Sequence, residues 1–124
     1  MAPITRDFAE KFAEEWIRAW NSHDLERIFA HYTDDFEMSS PLIVERMGEP
    51  SGALRGKASI RPYWSRGLAA TPPLRFELEE VLLGVSSIVI LYRNAAKRRV
   101  AEALFFNEKL QVTRAAAHYG APVP

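Results

Sequence analysis

Between residues 5 and 20, large apolar side chains recur at every fourth position, Phe8, Phe12, Trp16 and Trp20, with Ala9, Ala13 and Ile17 beside them. That spacing lays one apolar stripe along a helix and turns Glu10, Lys11, Glu14, Glu15 and Arg18 to water. Asn21, Ser22 and His23 interrupt the period. Asp24 is placed to cap a second helix, which buries Leu25, Ile28, Phe29 and Tyr32 and ends near Thr33. Phe36 and Met38 then alternate with polar neighbours as a short strand stopped by Pro41. Gly48, Pro50, Gly52 and Gly56 make residues 45–56 a long loop, of the kind that borders binding sites. A third helix is predicted over 58–68, with Ile60, Tyr63, Trp64 and Leu68 on one side and Pro62 in its first turn.

After Thr71, Pro72 and Pro73 the period changes from about four to two. Strands are predicted over 74–83, 87–93, 99–106 and 111–119, joined by connections short enough for hairpins. Two helices, a strand, a helix and an antiparallel meander make an α+β fold with the helices packed on one face of the sheet. The run Ser87-Ile88-Val89-Ile90-Leu91-Tyr92 is apolar on both faces, and helices can cover only one. A second copy of the chain is the simplest cover for the other, so a homodimer packed sheet to sheet is expected.

The chain has 124 residues, the size of one compact domain over 1–124, and 48% of them are hydrophobic. Sixteen basic residues balance sixteen acidic ones, which leaves no net field to draw nucleic acid or an anionic membrane. The basic group Lys97-Arg98-Arg99 follows Asn94 between two apolar runs and reads as a solvated hairpin tip, with an anion contact as the alternative. No cysteine is present, which removes disulfides, thiolate metal sites and cysteine nucleophiles. Charges at Arg6, Asp7, Glu10 and Lys11 argue against an apolar signal segment, and a cytoplasmic protein is expected.

Glu102 is the most informative position. With a period of two its same-face neighbours are Val100, Leu104 and Phe106, so a carboxylate falls on an apolar face in mid-strand. Such a group is paired with an arginine, turned to solvent by another register, or set in a cavity as ligand anchor or general acid/base. Trp16, Trp20, Tyr32, Tyr63 and Trp64 lie on the inner faces of the predicted helices, as core packing or as an aromatic pocket wall. His23, His31 and His118 have no chelating spacing and read as surface or structural residues, His118 being a reserve for proton transfer. No Gly-x-Ser-x-Gly elbow and no glycine-rich phosphate motif occurs, so no hydrolase triad, cofactor or metal is expected.

The stretch from Asp24 through His31, Tyr32 and Phe36 to Ser40-Pro41 resembles the second helix and first strand of ketosteroid isomerases and SnoaL-like proteins. Gly56-Lys57-Ala58-Ser59-Ile60 with Tyr63-Trp64 is similar to their third helix, and Glu102 to Phe106 with His118-Tyr119 to their last strands. The resemblance implies a curved, mostly antiparallel sheet wrapped by three N-terminal helices into a cone with an internal pocket, the cystatin-like α+β barrel. It also implies that the isomerase machinery is largely replaced. Ser40 stands where the isomerases carry their general-base aspartate, and Trp16 stands at their oxyanion tyrosine. Of the two supporting tyrosines, Tyr32 is kept and the other is Trp64. Glu102 aligns with their protonated acid, and Tyr119 with a further pocket residue.

A serine is no proton shuttle of moderate pKa, and an indole N–H offers no acidity to tune. Steroid isomerisation by that mechanism is therefore not expected. The leading expectation is a small, mostly apolar ligand held among Trp16, Trp20, Tyr32, Ser40, Tyr63, Trp64 and Tyr119. Lyase, cyclase or isomerase chemistry through Glu102 would follow, with the Trp16 N–H or Ser40 as donors to a developing oxyanion. Non-catalytic binding of a hydrophobic metabolite, or a dimeric interaction module, is the alternative.

Overall fold

The computed structural model describes residues 2–123; Met1 and Pro124, the outermost positions of the expected domain, lie outside them. Helix α1 spans Arg6–Ser22 and begins where the Thr5 side chain accepts from the Phe8 N–H. It ends at His23, which adopts φ 60° and returns its own N–H to the Trp20 carbonyl. The stripe read from the sequence is the buried one, and it includes Phe12, Trp16 and Trp20. Asp24 caps α2 (Leu25–Phe29) through bonds from the Glu26 and Arg27 N–H groups, and α4 spans Lys57–Leu68.

Six strands form one sheet in the order β2-β1-β6-β5-β4-β3. They are β1 (Tyr32–Ser39), β2 (Ala53–Arg55), β3 (Glu77–Leu83), β4 (Ser87–Arg93), β5 (Arg99–Phe106) and β6 (Val112–Tyr119). All pairings are antiparallel except β1 with β6, which run parallel. Burial alternates residue by residue along β4 and β5, with Ile88, Ile90, Tyr92, Val100, Glu102, Leu104 and Phe106 on the helix-covered face. The register expected for Glu102 is thus the one adopted. Helix α1 is tied to β3 and the segment before it: Arg6 Nη1 donates to the Val81 carbonyl at 2.8 Å. Asn21 exchanges two hydrogen bonds with the Phe76 backbone, at 2.9 and 2.7 Å. These ties place Trp16 and Trp20 over the sheet at the level of Tyr92 and Glu102.

Three sequence expectations are corrected. Tyr32 is not in the second helix but opens β1, because α2 stops at Phe29 and the Val112 N–H bonds to the His31 carbonyl at 2.9 Å, bringing the chain alongside β6. The stretch 45–56 is not one loop: α3 spans Pro41–Met47 and β2 pairs with β1. Ser40 caps α3, Pro41 supplies a first turn that needs no N–H, and Gly48 closes it at φ 66°. Pro62 sits inside α4 rather than in its first turn, since the helix already starts at Lys57. The basic group forms the β4–β5 turn as read, around Asn94, whose side chain accepts from the Ala96 and Arg98 N–H groups. Two of its charges enter ion pairs, Lys97 facing Glu77 and Arg99 sharing Glu79 with Arg93, while Arg98 donates to the Gly120 carbonyl and lies over the Tyr119 ring.

Candidate functional site

A cavity of about 230 Å³ opens between the helices and the inner face of the sheet. Trp16 and Trp20 come from α1, Tyr63 and Trp64 from α4, Tyr92 from β4, and Glu102 from β5. Phe76 and Tyr119 complete the wall, and exposed residues at Arg46, Thr71, Pro72 and Ala96 rim the mouth. The aromatic rings hold one another in place, with centroids 4.9 Å apart for Trp20 and Trp64, 5.8 Å for Trp16 and Phe76, and 4.3 Å for Phe76 and Tyr92.

Glu102 is 5% exposed, and no lysine, arginine or histidine among the described residues forms an ion pair with it. Its one hydrogen bond comes from Tyr92 Oη, at 3.1 Å. Burial disfavours the charged form and pushes the carboxyl up to about 7, while the phenol bond pulls the other way. The surrounding phenols respond to the same charge: burial first and the Glu102 carboxylate second raise Tyr92, Tyr32 and Tyr119 above the usual tyrosine range. Near neutrality the cavity therefore holds one carboxyl poised between its acid and base forms, among phenols that stay protonated.

Of the eight residues expected at the site, Trp16, Trp20, Tyr63, Trp64, Glu102 and Tyr119 stand on the cavity wall. Tyr32 and Ser40 stand behind it. The Trp16 indole N–H donates to Tyr32 Oη at 2.8 Å, so it is not the free oxyanion donor that the sequence reading assigned to it. Ser40 is spent as the cap of α3: its Oγ takes the Leu42 N–H at 3.1 Å and the Tyr63 hydroxyl at 3.3 Å. Phe76 and Arg46 were not foreseen. Arg46 lay inside the stretch read as a loop, and Phe76 precedes the strand that was expected to contain it.

The histidines lie elsewhere. His118 is exposed on the outer face of β6, with Nδ1 3.3 Å from the Ala101 carbonyl oxygen. His23 ends α1, and His31 packs beside Phe12 and Glu15. Among the described residues no cluster of His, Asp and Glu could hold a metal ion, and no helix is long and apolar enough to cross a membrane.

A model of the SnoaL-like domain matches residues 13–117, most of the chain, with the cavity wall inside the match except for Tyr119. The chain belongs to the SnoaL-like family. A crystal structure of a SnoaL-like protein of unknown function from Burkholderia thailandensis E264 is 50% identical, with a TM-score of 0.92 over 96% of this chain and 99% of that one. A cystatin-like-fold protein of unknown function from Methylobium petroleophilum PM1 is 19% identical, with a TM-score of 0.74 over 98% and 82%. SalBIII, the epoxide hydrolase/cyclase-like enzyme of pyran ring formation in the polyether salinomycin, is 14% identical, with a TM-score of 0.70 over 92% of each chain. The last two likenesses establish the cystatin-like fold alone. No curated protein matches the sequence. This SnoaL-like domain shares its architecture with proteins of differing roles, and its own site must supply the argument for what it does.

Proposed function

We propose that this SnoaL-like protein binds a small, mostly apolar molecule in the cavity and performs acid–base chemistry on it through Glu102, as an isomerase, cyclase or lyase. The observation that carries the reading is a carboxyl group buried to 5% exposure in an aromatic-walled cavity, poised near 7 with no cationic partner. A general acid/base works best when its pKa lies near the working pH, and burial has brought Glu102 there. The cyclase-like SalBIII on the same fold supports the reaction class without specifying it. Steroid isomerisation by the two-acid mechanism is not proposed, since Ser40 is a helix cap and the Trp16 N–H is already bonded.

Those two occupied donors favour a second reading, in which the cavity stores a ligand without changing it. One experiment separates the two. Small cyclic ketones, lactones and epoxides are screened by thermal shift, and hits are followed for product with the native protein and with Glu102→Gln. Turnover lost in Glu102→Gln with binding retained supports the catalyst; turnover that survives the substitution removes Glu102 from the role. A hit that both proteins bind and neither converts supports the carrier.

The outer face of the sheet supports a homodimer. Val89 and Leu91, Ala101, Ala103 and Phe105, and Ala116 are only partly covered there, on three adjacent strands. Leu82, directly opposite Val89, is 44% exposed. This apolar patch, bordered on β6 by exposed Arg114 and His118, suits a flat self-complementary contact.

A further inference from the structure

Among the described residues two charged side chains line the cavity, and they occupy opposite settings. Glu102 is inside; Arg46, in the last turn of α3, is exposed at the mouth. A Cβ on Gly67 would come 3.7 Å from Arg46 Nη1, which sets the guanidinium alongside α4 at the rim. No carboxylate among the described residues pairs with Arg46; Arg6, Arg66, Arg75, Arg98 and Arg114 are likewise without one, but Arg46 is the arginine that lines the cavity. Burial chiefly raises the Tyr63 and Tyr119 phenols, with Glu102 adding to the rise and Arg46 opposing it. Trp20 contributes its ring to the wall, while its Nε1–H, without an acceptor among the described residues, is shut away from the open space.

The volume limits the ligand. A cavity of about 230 Å³ exceeds the about 150 Å³ that admits benzene, and falls short of the about 300 Å³ where drug-sized sites begin. One ring with short substituents fits those bounds. A single guanidinium fork matches a carboxylate, whereas phosphate sites usually gather several donors and cations.

We propose that the cavity takes a compact cyclic carboxylic acid. Its carboxylate stays at the mouth on Arg46, and its ring lies among Trp16, Trp64 and Phe76. The inference rests on the reading above that this cavity is the ligand site, and it adds the class of molecule and a recognition residue.

Three probes test it: 4-oxocyclohexanecarboxylate, its primary amide, and cyclohexanecarboxylate, titrated near pH 7 by thermal shift and tryptophan fluorescence. The native protein should bind the keto acid about tenfold more tightly than its amide, the worth of one charge-assisted contact. Arg46→Gln, at an exposed position, should bring acid and amide to equal affinity. Equal binding of acid and amide by the native protein overturns the proposal and leaves the cavity reading standing, as does an acid preference that survives Arg46→Gln. Silence from all three, and from neutral cyclohexanone as well, overturns both.

Discussion

Tyr92 reaches across from β4 and donates its phenolic hydrogen bond to Glu102 on β5, over 3.1 Å. The two residues are diagonal neighbours in the ladder, since Tyr92 lies opposite Val100 and Glu102 opposite Ile90. Both are enclosed by the same aromatic walls, so the phenol takes the place of the water that would otherwise solvate the carboxyl. One neutral donor offsets only part of that loss. The balance leaves Glu102 near 7, and it makes the ionisation of one side chain a property of two strands.

Stability should fall as pH rises through that range. Glu102 sits at about 7 in the folded chain against 4.5 as its ordinary value, so between those limits the folded state holds more protons than the unfolded one. The contribution is full below 4.5, declines as pH rises, and levels off above about 7. The whole change amounts to about 3 kcal/mol by linkage. Glu15, held down first by its hydrogen bond from Arg27, and Glu79, held down first by Arg93, work in the opposite sense and lose their effect on acidification. Urea unfolding at pH 5.5 and pH 8 should therefore show a loss in the native protein that Glu102→Gln abolishes. Parallel slopes for the two proteins would contradict it.

Removing the phenolic hydroxyl should move Glu102 further up. In Tyr92→Phe the ring still fills its place against Phe76 and Trp16, but the only hydrogen bond favouring the charged carboxylate is gone. A carboxyl-carbon NMR titration should place Glu102 above its native midpoint of about 7. A midpoint unchanged or lowered would mean that the bond does not hold in solution.

The Trp16–Tyr32 pair predicts a coupled loss. Tyr32→Phe leaves the buried Trp16 N–H without its acceptor, at a cost of about 1–3 kcal/mol, while keeping nearly the same volume. Trp16→Phe removes the donor and leaves empty space as well. The double variant should be less damaged than the sum of the two, by about 1 kcal/mol in a chemical-denaturation cycle. Strict additivity would show that the bond adds nothing to stability.

A charge on the outer sheet face should separate the expected homodimer. Val89 and Ala103 are directly paired across β4 and β5, and neither points into the core. Val89→Lys or Ala103→Glu should leave the circular dichroism spectrum intact and shift the light-scattering mass from dimer to monomer at micromolar concentration. A native protein that is already monomeric under those conditions ends the dimer proposal.

Much of this fold is legible because its strands obey simple periods. The strands expected over 87–93 and 99–106 match β4 and β5 residue for residue, and the alternation there was enough to set Glu102 on the inner face. The helix that became α3 carried its own signal, Ser40 before Pro41 and Gly48 at the far end, which the density of glycines and prolines downstream concealed. Missing α3 also hid Arg46, whose place at the mouth depends on that helix. Tyr32 was misplaced because an apolar residue three positions after Phe29 extends a helical stripe equally well; only the distant strand β6 makes it a strand residue. The occupation of the Trp16 N–H and the isolation of the Trp20 N–H are rotamer-level facts that no spacing encodes.

The parallel pairing of β1 with β6 joins Tyr32 to Val112 and Met38 to Ala115, near opposite ends of the chain. Contacts so distant in sequence carry the largest loop-closure cost, so hairpins such as β4–β5 have the entropic advantage in forming first. On that order the cavity, whose wall takes Met38 from β1 and Tyr119 from β6, should be enclosed late. A ligand that stabilises it acts on the pairing with the largest closure cost, and damage to the β1–β6 pairing should erase binding before it erases the β3–β6 meander.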